Sequence, residues 1–560
     1  MLCYDAPGVT AGVSSEMAPP RRGHARPRDP AGRRIPLILV VSLALASPAS
    51  PSGHLAADRS APAETPAAPV PLADRLAPLV RVPALSPDDT GIAVLLLPGG
   101  RPIFTRNADR PAQPASTMKI LTSAAALALL KPEFVYQTRI FADSAIDGSG
   151  SIAGNLYLQG SGAPDLVGES WWLMARRLAA LGLRRVEGDL VADESYFDAV
   201  RRPPGWPAPA ADSWYNAPIG ALSCNFNVVT VTVDPSPLLG ARPDLTLEPA
   251  ASYFQVLNRA TTTSGPTSLA VSRSFENGQN ALVVGGTIRR GGGPAVFHRS
   301  VEEPALYALS AFREIARAEH IEIKGTLTVG TVPEKARELH THESRPLGAL
   351  VRDMNKNSNN FMAEMVLKTL GAQFVETPGT SAGGAMVVRD YLSGLGLDLS
   401  NTRMVDGSGL SDEDRVSARL LAEVLARAWD DFEIGPEIVA SLPIGGADGT
   451  LDERFGGEGS RRRVRAKTGR IASALTLAGY AANHDGRTFA FALLANRPRG
   501  TIDAVHRAID RIVDEIAAST DADLGPAAAE ENPPAARPSA STPAPSPPPR
   551  SGPAPLSPRR

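Results

Sequence analysis

Three short polar patterns, far apart in the chain, each combine a hydroxyl with an amine or an amide. In the first, Ser116 and Lys119 stand three residues apart at the start of an Ala/Leu-rich segment. Residues at that spacing share one face of a helix, so the lysine amine can approach the serine hydroxyl and take its proton. A helix N-terminus also offers free backbone N–H groups to a developing negative charge. The pattern therefore predicts a serine nucleophile activated by a lysine base.

The two other patterns supply groups that could bind and orient a substrate. Lys467, Thr468 and Gly469 precede an apolar hairpin, where a strand edge offers a cation and a hydroxyl to a carboxylate and lets a ligand backbone lie close. Ser358 and Asn360 lie at a predicted junction between a loop and a helix. Each pattern alone also fits a structural role, as a helix cap or a turn at a strand end. Their occurrence together favours one shared site.

The rarity of lysine makes these positions more informative. Of 57 Lys and Arg residues seven are lysines, which leaves 57 − 7 = 50 arginines. Lysine can lose its proton in a buried site, whereas arginine stays charged, so Lys119 and Lys467 are candidates for proton transfer. A formal net charge of −2 argues against a nucleic-acid binder, and two cysteines argue against a disulfide scaffold or a Cys-rich metal site.

The order S-x-x-K, S-x-N, K-T-G resembles the penicillin-binding, active-site-serine hydrolases of D-alanyl-D-alanine peptides. The 242 positions from Ser116 to Ser358 leave room for an insert. That spacing is similar to the class C low-molecular-mass penicillin-binding proteins, the D-alanyl-D-alanine carboxypeptidase/endopeptidase (peptidase S13-like) family. Three further segments are similar to that family: GDLVADESYF at 188–197, MVDGSGLS at 404–411 and SLPIGGADGTL at 441–451. The resemblance covers about residues 75 to 517.

The resemblance implies a chemical role for each pattern. Ser116 would attack the D-Ala–D-Ala carbonyl, with Lys119 as its general base. Ser358 would relay a proton toward the leaving group, assisted by Lys467. The implied substrates are peptidoglycan stem peptides that end in D-Ala-D-Ala, and β-lactams would acylate the same serine. No metal, no other cofactor and no nucleic-acid partner is implied, and the oligomeric state stays open.

Binding roles follow from the same resemblance. Asn360 would orient the substrate amide, and the K-T-G segment would hold the terminal carboxylate. The backbone N–H groups of Ser116 and Arg470 would form the oxyanion hole, and Asp193 of the insert would contribute near the site. The chain departs from the family pattern at two places: GSGAPDL has Ala163 where the family has an acid, and Arg470 follows K-T-G where the family usually has Ser or Thr.

The predicted elements indicate an α+β fold of the penicillin-binding transpeptidase/β-lactamase-like type, an antiparallel sheet flanked by helices, with a mostly-β insert. The first and last parts of the folded region are predicted to form strands at 91–97, 473–482 and 488–496, and helices at 117–130 and 501–518. The middle is rich in strand patterns, with a hairpin turn at Asn277-Gly278.

The composition divides the chain into six parts. They are a signal peptide at 1–46, a Pro/Ala-rich linker at 47–74, the transpeptidase-like domain in two parts at 75–135 and 341–517, a β-rich insert at 136–340, and a disordered Pro/Ala/Ser-rich tail at 518–560. The basic leader with its short apolar run predicts an exported protein, periplasmic or associated with the cell envelope.

Two other functions remain open from the sequence. The first is a β-lactamase or related esterase on the same fold, which would turn over a cephalosporin quickly instead of holding a long-lived adduct. The second is a non-catalytic peptidoglycan-binding protein that keeps the fold. The retention of Lys119 and Lys467, in a chain that otherwise prefers arginine, argues against the second.

Overall fold

The computed structural model describes residues 70–207, 212–276 and 279–524. The helices in this part are α1 (Leu72–Leu79), α2 (Lys119–Leu130), α3 (Gly168–Ala180), α4 (Pro304–Ala318), α5 (Leu347–Lys356), α6 (Asn360–Phe374), α7 (Ser381–Gly394), α8 (Ala418–Asp430), α9 (Gly435–Ser441) and α10 (Ile502–Ala517).

The strands follow the same chain order. They are β1 (Thr90–Leu96), β2 (Arg101–Arg106), β3 (Gln137–Ala142), β4 (Ser151–Ile152), β5 (Leu156–Gln159), β6 (Arg185–Val186), β7 (Leu190–Asp193), β8 (Val228–Asp234), β9 (Asp244–Glu248), β10 (Gln255–Asn258), β11 (Thr261–Thr263), β12 (Ser268–Glu276), β13 (Gln279–Arg289), β14 (Ala295–Ser300), β15 (Glu322–Ile323), β16 (Leu327–Val329), β17 (Arg337–Glu343), β18 (Val464–Ile471), β19 (Ala474–Ala482) and β20 (Thr488–Asn496).

One five-stranded antiparallel sheet joins the two ends of the fold. Its order is β18-β19-β20-β1-β2, so the first two strands of the chain pair with the last three. Side chains of a strand alternate between the two faces of its sheet. In β20, Phe489 and Phe491 pack in one apolar cluster, while Ala490 and Ala492 pack in another. Both faces of the sheet are therefore covered at its inner strands, which explains why β1, β19 and β20 are continuous apolar runs in the sequence.

Helices α1 and α10 cover one face of this sheet. Leu72 and Leu76 of α1 share an apolar cluster with Val505 and Ile509 of α10 and with the facing strand residues. The Thr501 side chain caps α10 by accepting a hydrogen bond from the backbone N–H of Ala504. The sequence-predicted helix at 501–518 and strands at 91–97, 473–482 and 488–496 are confirmed to within one residue.

Helices α2 and α8 lie against the opposite face. The Tyr480 hydroxyl in β19 donates a hydrogen bond of 2.8 Å to the Leu425 carbonyl in α8. Helix α2 is buried over most of its length, because Ala124, Ala125 and Leu127 expose at most 1% of their surface. This is the face that carries the candidate site, since α2 begins at Lys119.

The insert is strand-rich, but it is less purely β than the sequence predicts. Helices α3 and α4 lie within it and pack together through Trp171 and Phe312, whose ring centroids are 5.6 Å apart. Strand β7 pairs in parallel with β5 and β16, which requires crossover connections and accounts for the helices. Strands β12 and β13 pair antiparallel as far as Glu276 and Gln279, and the predicted Asn277-Gly278 turn between them lies outside the described residues.

Three predicted boundaries need correction. Helix α1 begins at Leu72, inside the predicted 47–74 linker. Strand β17 pairs with β3 as far as Glu343, so the insert extends beyond 340. The fold also continues past 517, because Ser519 is buried and Leu524 packs against the α10 cluster. The predicted signal peptide at 1–46 and the part of the predicted tail from 525 onward lie outside the described residues. No helix within those described is long and apolar enough to cross a membrane.

Candidate active site

Ser116 lies in a single turn of 3₁₀ helix, Ala115–Met118, directly before α2. The sequence predicts one continuous helix over 117–130, but the α-helix itself begins at Lys119. A tight turn at this point keeps the serine and the lysine on one side, and the Lys119 amine lies 3.0 Å from Ser116 Oγ. The predicted pairing of hydroxyl and amine is therefore present in the structure.

The Lys119 amine is completely buried and fully engaged. Besides Ser116 Oγ, it contacts Asn360 Oδ1 at 2.7 Å and the Ser408 carbonyl oxygen at 2.8 Å. An ammonium has three N–H donors, so these three acceptors hold it in one place. In the neutral form one position carries the lone pair, which can then face the serine hydroxyl.

Three buried acidic side chains surround the Lys119 amine. Burial lowers the pKa of Lys119 to about 7, although the nearby Asp406, Glu364 and Asp414 carboxyls act in the opposite direction. Burial also raises the pKa of Glu364 to about 7, with Asp406 adding to the effect, and raises the pKa of Asp414 well above its usual range for the same two reasons.

Asp406 organises the loop that receives the lysine. Its carboxylate accepts hydrogen bonds from the backbone N–H groups of Ser408 (2.8 Å) and Ser411 (2.9 Å), and from the indole N–H of Trp206. The Ser408 carbonyl in the same loop is the one that contacts Lys119. Because Trp206 belongs to the insert, the insert helps to fix the surroundings of Lys119.

Ser358 lies between α5 and α6 with a φ of 54°, which is uncommon for a residue with a side chain. The Lys467 amine donates to Ser358 Oγ at 2.8 Å and to the Thr468 carbonyl at 2.8 Å. Lys467 is also completely buried, and burial together with the positive charge of Lys119 lowers its pKa well below the usual value. The structure thus contains a second serine–lysine pair beside the first.

Asn360, at the start of α6, connects the first pair to the insert. Its Oδ1 accepts from Lys119, and its Nδ2 donates to the Tyr215 carbonyl of the insert at 3.0 Å. These opposite contacts fix which way the amide faces. The preceding Asn359 caps α6 by accepting from the Met362 N–H at 3.0 Å, which keeps the helix start in place.

Strand β18 has an open outer edge at the candidate site. On the side away from β19, the Ala466 N–H donates to the Pro443 carbonyl at 3.0 Å. Backbone groups along a strand alternate in direction, so the N–H groups of Thr468 and Arg470 point toward the same outer side. This geometry agrees with a backbone donor at Arg470, whose side chain is exposed and lies near His506 of α10.

Gly469 allows β18 to lie directly against the turn that carries the nucleophile. A Cβ at this position would come within 2.9 Å of the Ser116 nitrogen and 2.1 Å of Thr476 Oγ1. Any side chain would therefore push the strand away from Ser116. The close approach explains why a glycine stands between Thr468 and Arg470.

Asp193 is not brought to this site. Its carboxylate accepts from the Ser195 hydroxyl (2.6 Å), the Gln159 amide (3.0 Å) and the Val332 N–H (3.0 Å), all within the insert. These bonds hold the pKa of Asp193 below its usual value, despite the opposing effect of burial. The prediction that Asp193 contributes near the site is wrong at the level of contacts, because the residue ends β7 and joins the insert's own strands.

Several site groups were not predicted as functional residues. Their positions depend on segments that the sequence marks only as family-like, or on backbone atoms with no sequence signal. They are Asp406 and the Ser408 carbonyl in DGSGLS, Glu364 one turn after Asn360, Thr450 in DGTL, and Trp206 and the Tyr215 carbonyl in the insert. In the part of the chain that the structure describes, no three His, Cys, Asp or Glu side chains are grouped as metal ligands.

A serine hydroxyl that contacts a buried lysine amine of lowered pKa defines an active-site-serine hydrolase with lysine as its base. Comparison with known proteins agrees with this class and narrows it. The sequence profile of the D-Ala-D-Ala carboxypeptidase 3 (S13) family matches residues 72–520. The chain belongs to this family, and it is a serine-type hydrolase.

Relatives and solved structures support the assignment. The chain is 32% identical over 431 residues to the D-alanyl-D-alanine carboxypeptidase of Actinomadura sp. (strain R39), which covers 75% of this chain and 79% of that protein. It is 27% identical to the D-alanyl-D-alanine carboxypeptidase DacB of Haemophilus influenzae, over 68% of this chain and 80% of that one.

The crystal structure of penicillin binding protein 4 (dacB) from Haemophilus influenzae superimposes with a TM-score of 0.67 at 24% identity, covering 79% of this chain and 97% of that one. The likeness confirms the predicted α+β fold. The family assignment favours the carboxypeptidase over the β-lactamase and binding-protein alternatives.

Proposed function

We propose that Ser116 and Lys119 cleave the D-Ala–D-Ala bond of peptidoglycan stem peptides through an acyl-enzyme. The observation that carries this proposal is the 3.0 Å contact between Lys119 and Ser116 Oγ, at an amine whose pKa is lowered to about 7. An amine with that pKa is substantially neutral at physiological pH and can accept the serine proton.

Acylation begins when Ser116 Oγ attacks the carbonyl carbon and its proton passes to Lys119. The carbonyl oxygen becomes negatively charged and accepts hydrogen bonds from the N–H groups of Ser116 and Arg470. When the C–N bond breaks, the departing D-Ala amine takes a proton through Ser358, whose hydroxyl contacts Lys467 at 2.8 Å. The products of this step are free D-Ala and an ester on Ser116.

Deacylation uses the same groups with water as the nucleophile. Lys119 takes a proton from water, the ester carbon forms a bond to the water oxygen, and the serine oxygen leaves and is protonated again. Asn360 orients the substrate amide, and Thr468 with Lys467 holds the terminal carboxylate. A β-lactam acylates Ser116 by the same attack, because its ring amide replaces the peptide bond.

The open edge of β18 also accommodates a peptide chain as an additional strand. On this basis the enzyme acts both as a carboxypeptidase and as an endopeptidase on cross-links. The basic residues and the short apolar run at the start of the chain support export. We therefore propose that the enzyme acts in the periplasm or at the cell envelope, where its substrate lies.

Incubation with a fluorescent penicillin, followed by a denaturing gel, tests this proposal. The parent protein should retain a fluorescent band, and Ser116→Ala should lose it completely. Ser144→Ala is the matched control, because that hydroxyl lies in the insert and contacts only the neighbouring Ala145 carbonyl. A label of equal strength on Ser116→Ala would overturn the assignment of the nucleophile.

Digestion of purified muropeptides then separates the activities. Release of free D-Ala from pentapeptides identifies the carboxypeptidase, and conversion of cross-linked dimers to monomers identifies the endopeptidase. Rapid hydrolysis of a chromogenic cephalosporin without a persistent band would favour the β-lactamase alternative.

A further inference from the structure

The Thr468 hydroxyl has a neighbour of the same kind. Thr450 Oγ1 lies 2.7 Å from Thr468 Oγ1, and both residues reach the surface. Thr450 belongs to a short 3₁₀ turn, Gly449–Leu451, which lies against β18 just beyond its outer edge. Two hydroxyls therefore stand side by side at the end of the site that would receive the C-terminus of a peptide.

The position of this turn is fixed by strong contacts. The Lys356 amine at the end of α5 donates to both carboxylate oxygens of Asp448 at 2.7 Å, and the Ile444 N–H donates to the same carboxylate at 2.8 Å. Gly449 has a φ of +60°, and a Cβ there would lie 2.8 Å from the Lys356 carbonyl oxygen. Thr450 is thus held beside Thr468 by α5, the helix that leads directly to Ser358.

The chemistry of the pair matches a carboxylate. Each hydroxyl has one proton to donate, and at rest one of them donates to the other. A carboxylate has two acceptor oxygens close together, so both hydroxyls can turn toward it, one to each oxygen. The chain also lacks the Ser or Thr that usually follows K-T-G in proteins resembling it, since Arg470 stands there. The hydroxyl that stands beside Thr468 is instead the one of Thr450, which comes from another segment.

We propose that Thr450 is a specificity-determining residue that donates a hydrogen bond to the C-terminal carboxylate of the substrate, together with Thr468. This inference rests on the proposed role of Thr468. It assigns to the DGTL segment the task of distinguishing a free C-terminus from a blocked one. A carboxamide terminus is neutral and has one acceptor oxygen in place of two, so the two hydroxyls cannot each donate to a separate charged oxygen.

The test compares two tripeptides, diacetyl-L-Lys-D-Ala-D-Ala and its C-terminal carboxamide, in the parent enzyme and in Thr450→Val. Valine keeps the shape of threonine and removes the hydroxyl. We expect kcat/KM for the free acid to fall about tenfold, as for one hydrogen bond to a charged group, while the value for the carboxamide changes less than about twofold. Thr450→Ser keeps a hydroxyl and should retain the parent's preference for the free acid over the carboxamide. Thr246→Val, on the exposed face of β9, is the matched control.

Each outcome decides the inference. An equal loss on both substrates would mean that Thr450 only supports the site, and no loss on either would mean that its hydroxyl is not used; both results overturn the proposal. If the parent released no D-Ala from the free acid, the proposed function itself would fail. That failure is distinct, because it appears before any variant is compared.

Discussion

Lys119 and Lys467 are both completely buried, and each places its amine against a serine hydroxyl. Their surroundings differ in charge. Lys119 has Asp406, Glu364 and Asp414 nearby, so the cost of burying its charge is partly offset and its pKa stays near neutrality. Lys467 has another lysine as its main charged neighbour, so burial and repulsion act in the same direction.

The difference in charge around the two amines indicates that they have different roles in proton transfer. An amine with a pKa of about 7 can both take and return a proton at neutral pH, which is what a general base for acylation and deacylation requires. Burial and the positive charge of Lys119 both lower the pKa of Lys467, so a positive charge on the Lys467 amine is disfavoured. When Lys119 gains the serine proton, its new positive charge opposes a second one on Lys467, so a proton that reaches Ser358 is directed to the leaving group.

The largest effect should come from replacing each lysine by arginine, whose side chain stays protonated and cannot act as a base. Lys119→Arg should reduce the rate of penicillin acylation by about a thousandfold or more, because the base is lost. Lys467→Arg should reduce it by only about ten- to a hundredfold, because a donor to Ser358 remains.

Stopped-flow measurement of labelling provides both rates, with thermal melts to verify that the variants fold. Equal losses in the two variants would contradict the division of roles. The arginine at 470 offers no substitute cation in either case, because its side chain lies toward His506.

A smaller effect should follow from Glu364→Gln, which keeps an acceptor for the Gly407 N–H and removes the charge. In the parent, acylation should rise with pH through a midpoint of about 7, because protonated Lys119 is inactive. Loss of a carboxylate that raises the pKa of Lys119 should move this midpoint to lower pH by about half a unit or more. The gain in acylation rate should be largest near pH 7, where the Glu364 carboxyl of the parent is still partly ionised, and small at pH 6, where it is mostly protonated.

A pH–rate profile of acylation provides the measurement. Glu376→Gln is the control, because that exposed residue follows the same helix α6 and lies outside the site. An unmoved midpoint in Glu364→Gln would show that the acidic cluster does not set the protonation of Lys119.

The smallest effect on activity should come from Asp193→Asn. Its carboxylate binds groups of the insert, so kcat/KM should stay within about twofold of the parent value. Stability should fall by about 1–3 kcal/mol at pH 7, where the carboxylate with its lowered pKa is ionised and accepts several hydrogen bonds. Denaturant unfolding and a peptide assay check the two parts, and a large loss of activity without loss of stability would return Asp193 to the site.

Much of the site can be predicted from the sequence because its key patterns are short. Ser116 with Lys119, and Lys467 with its neighbours, carry their chemistry within a few positions, and the adjacent helix α2 and strands β19 and β20 are strongly apolar. Asp406 and Glu364 could not be found in this way, since they approach Lys119 only when α2, α6 and the DGSGLS loop pack together. Asp193 shows the converse, because a segment that resembles the family was given a role that its packing does not allow.

The insert shows the same limit at the level of the fold. Its apolar runs predict strands correctly, but a parallel pair such as β5 and β7 depends on crossover helices that local patterns do not separate from the strands. The Tyr215 carbonyl that orients Asn360 has no sequence signal, because every residue carries the same backbone oxygen.

The pairing of β1 with β20 also has a consequence for the order of assembly. Ile92 lies opposite Leu493, so a strand made early in synthesis finds its partner only near the end of the chain. Closing so long a loop is entropically costly and slow. A ribosome-bound or truncated chain that stops before β20 contains both lysines but lacks the strand that joins β1 to β19. We therefore expect such a chain to be inactive, so that hydrolytic activity appears only when synthesis is nearly complete.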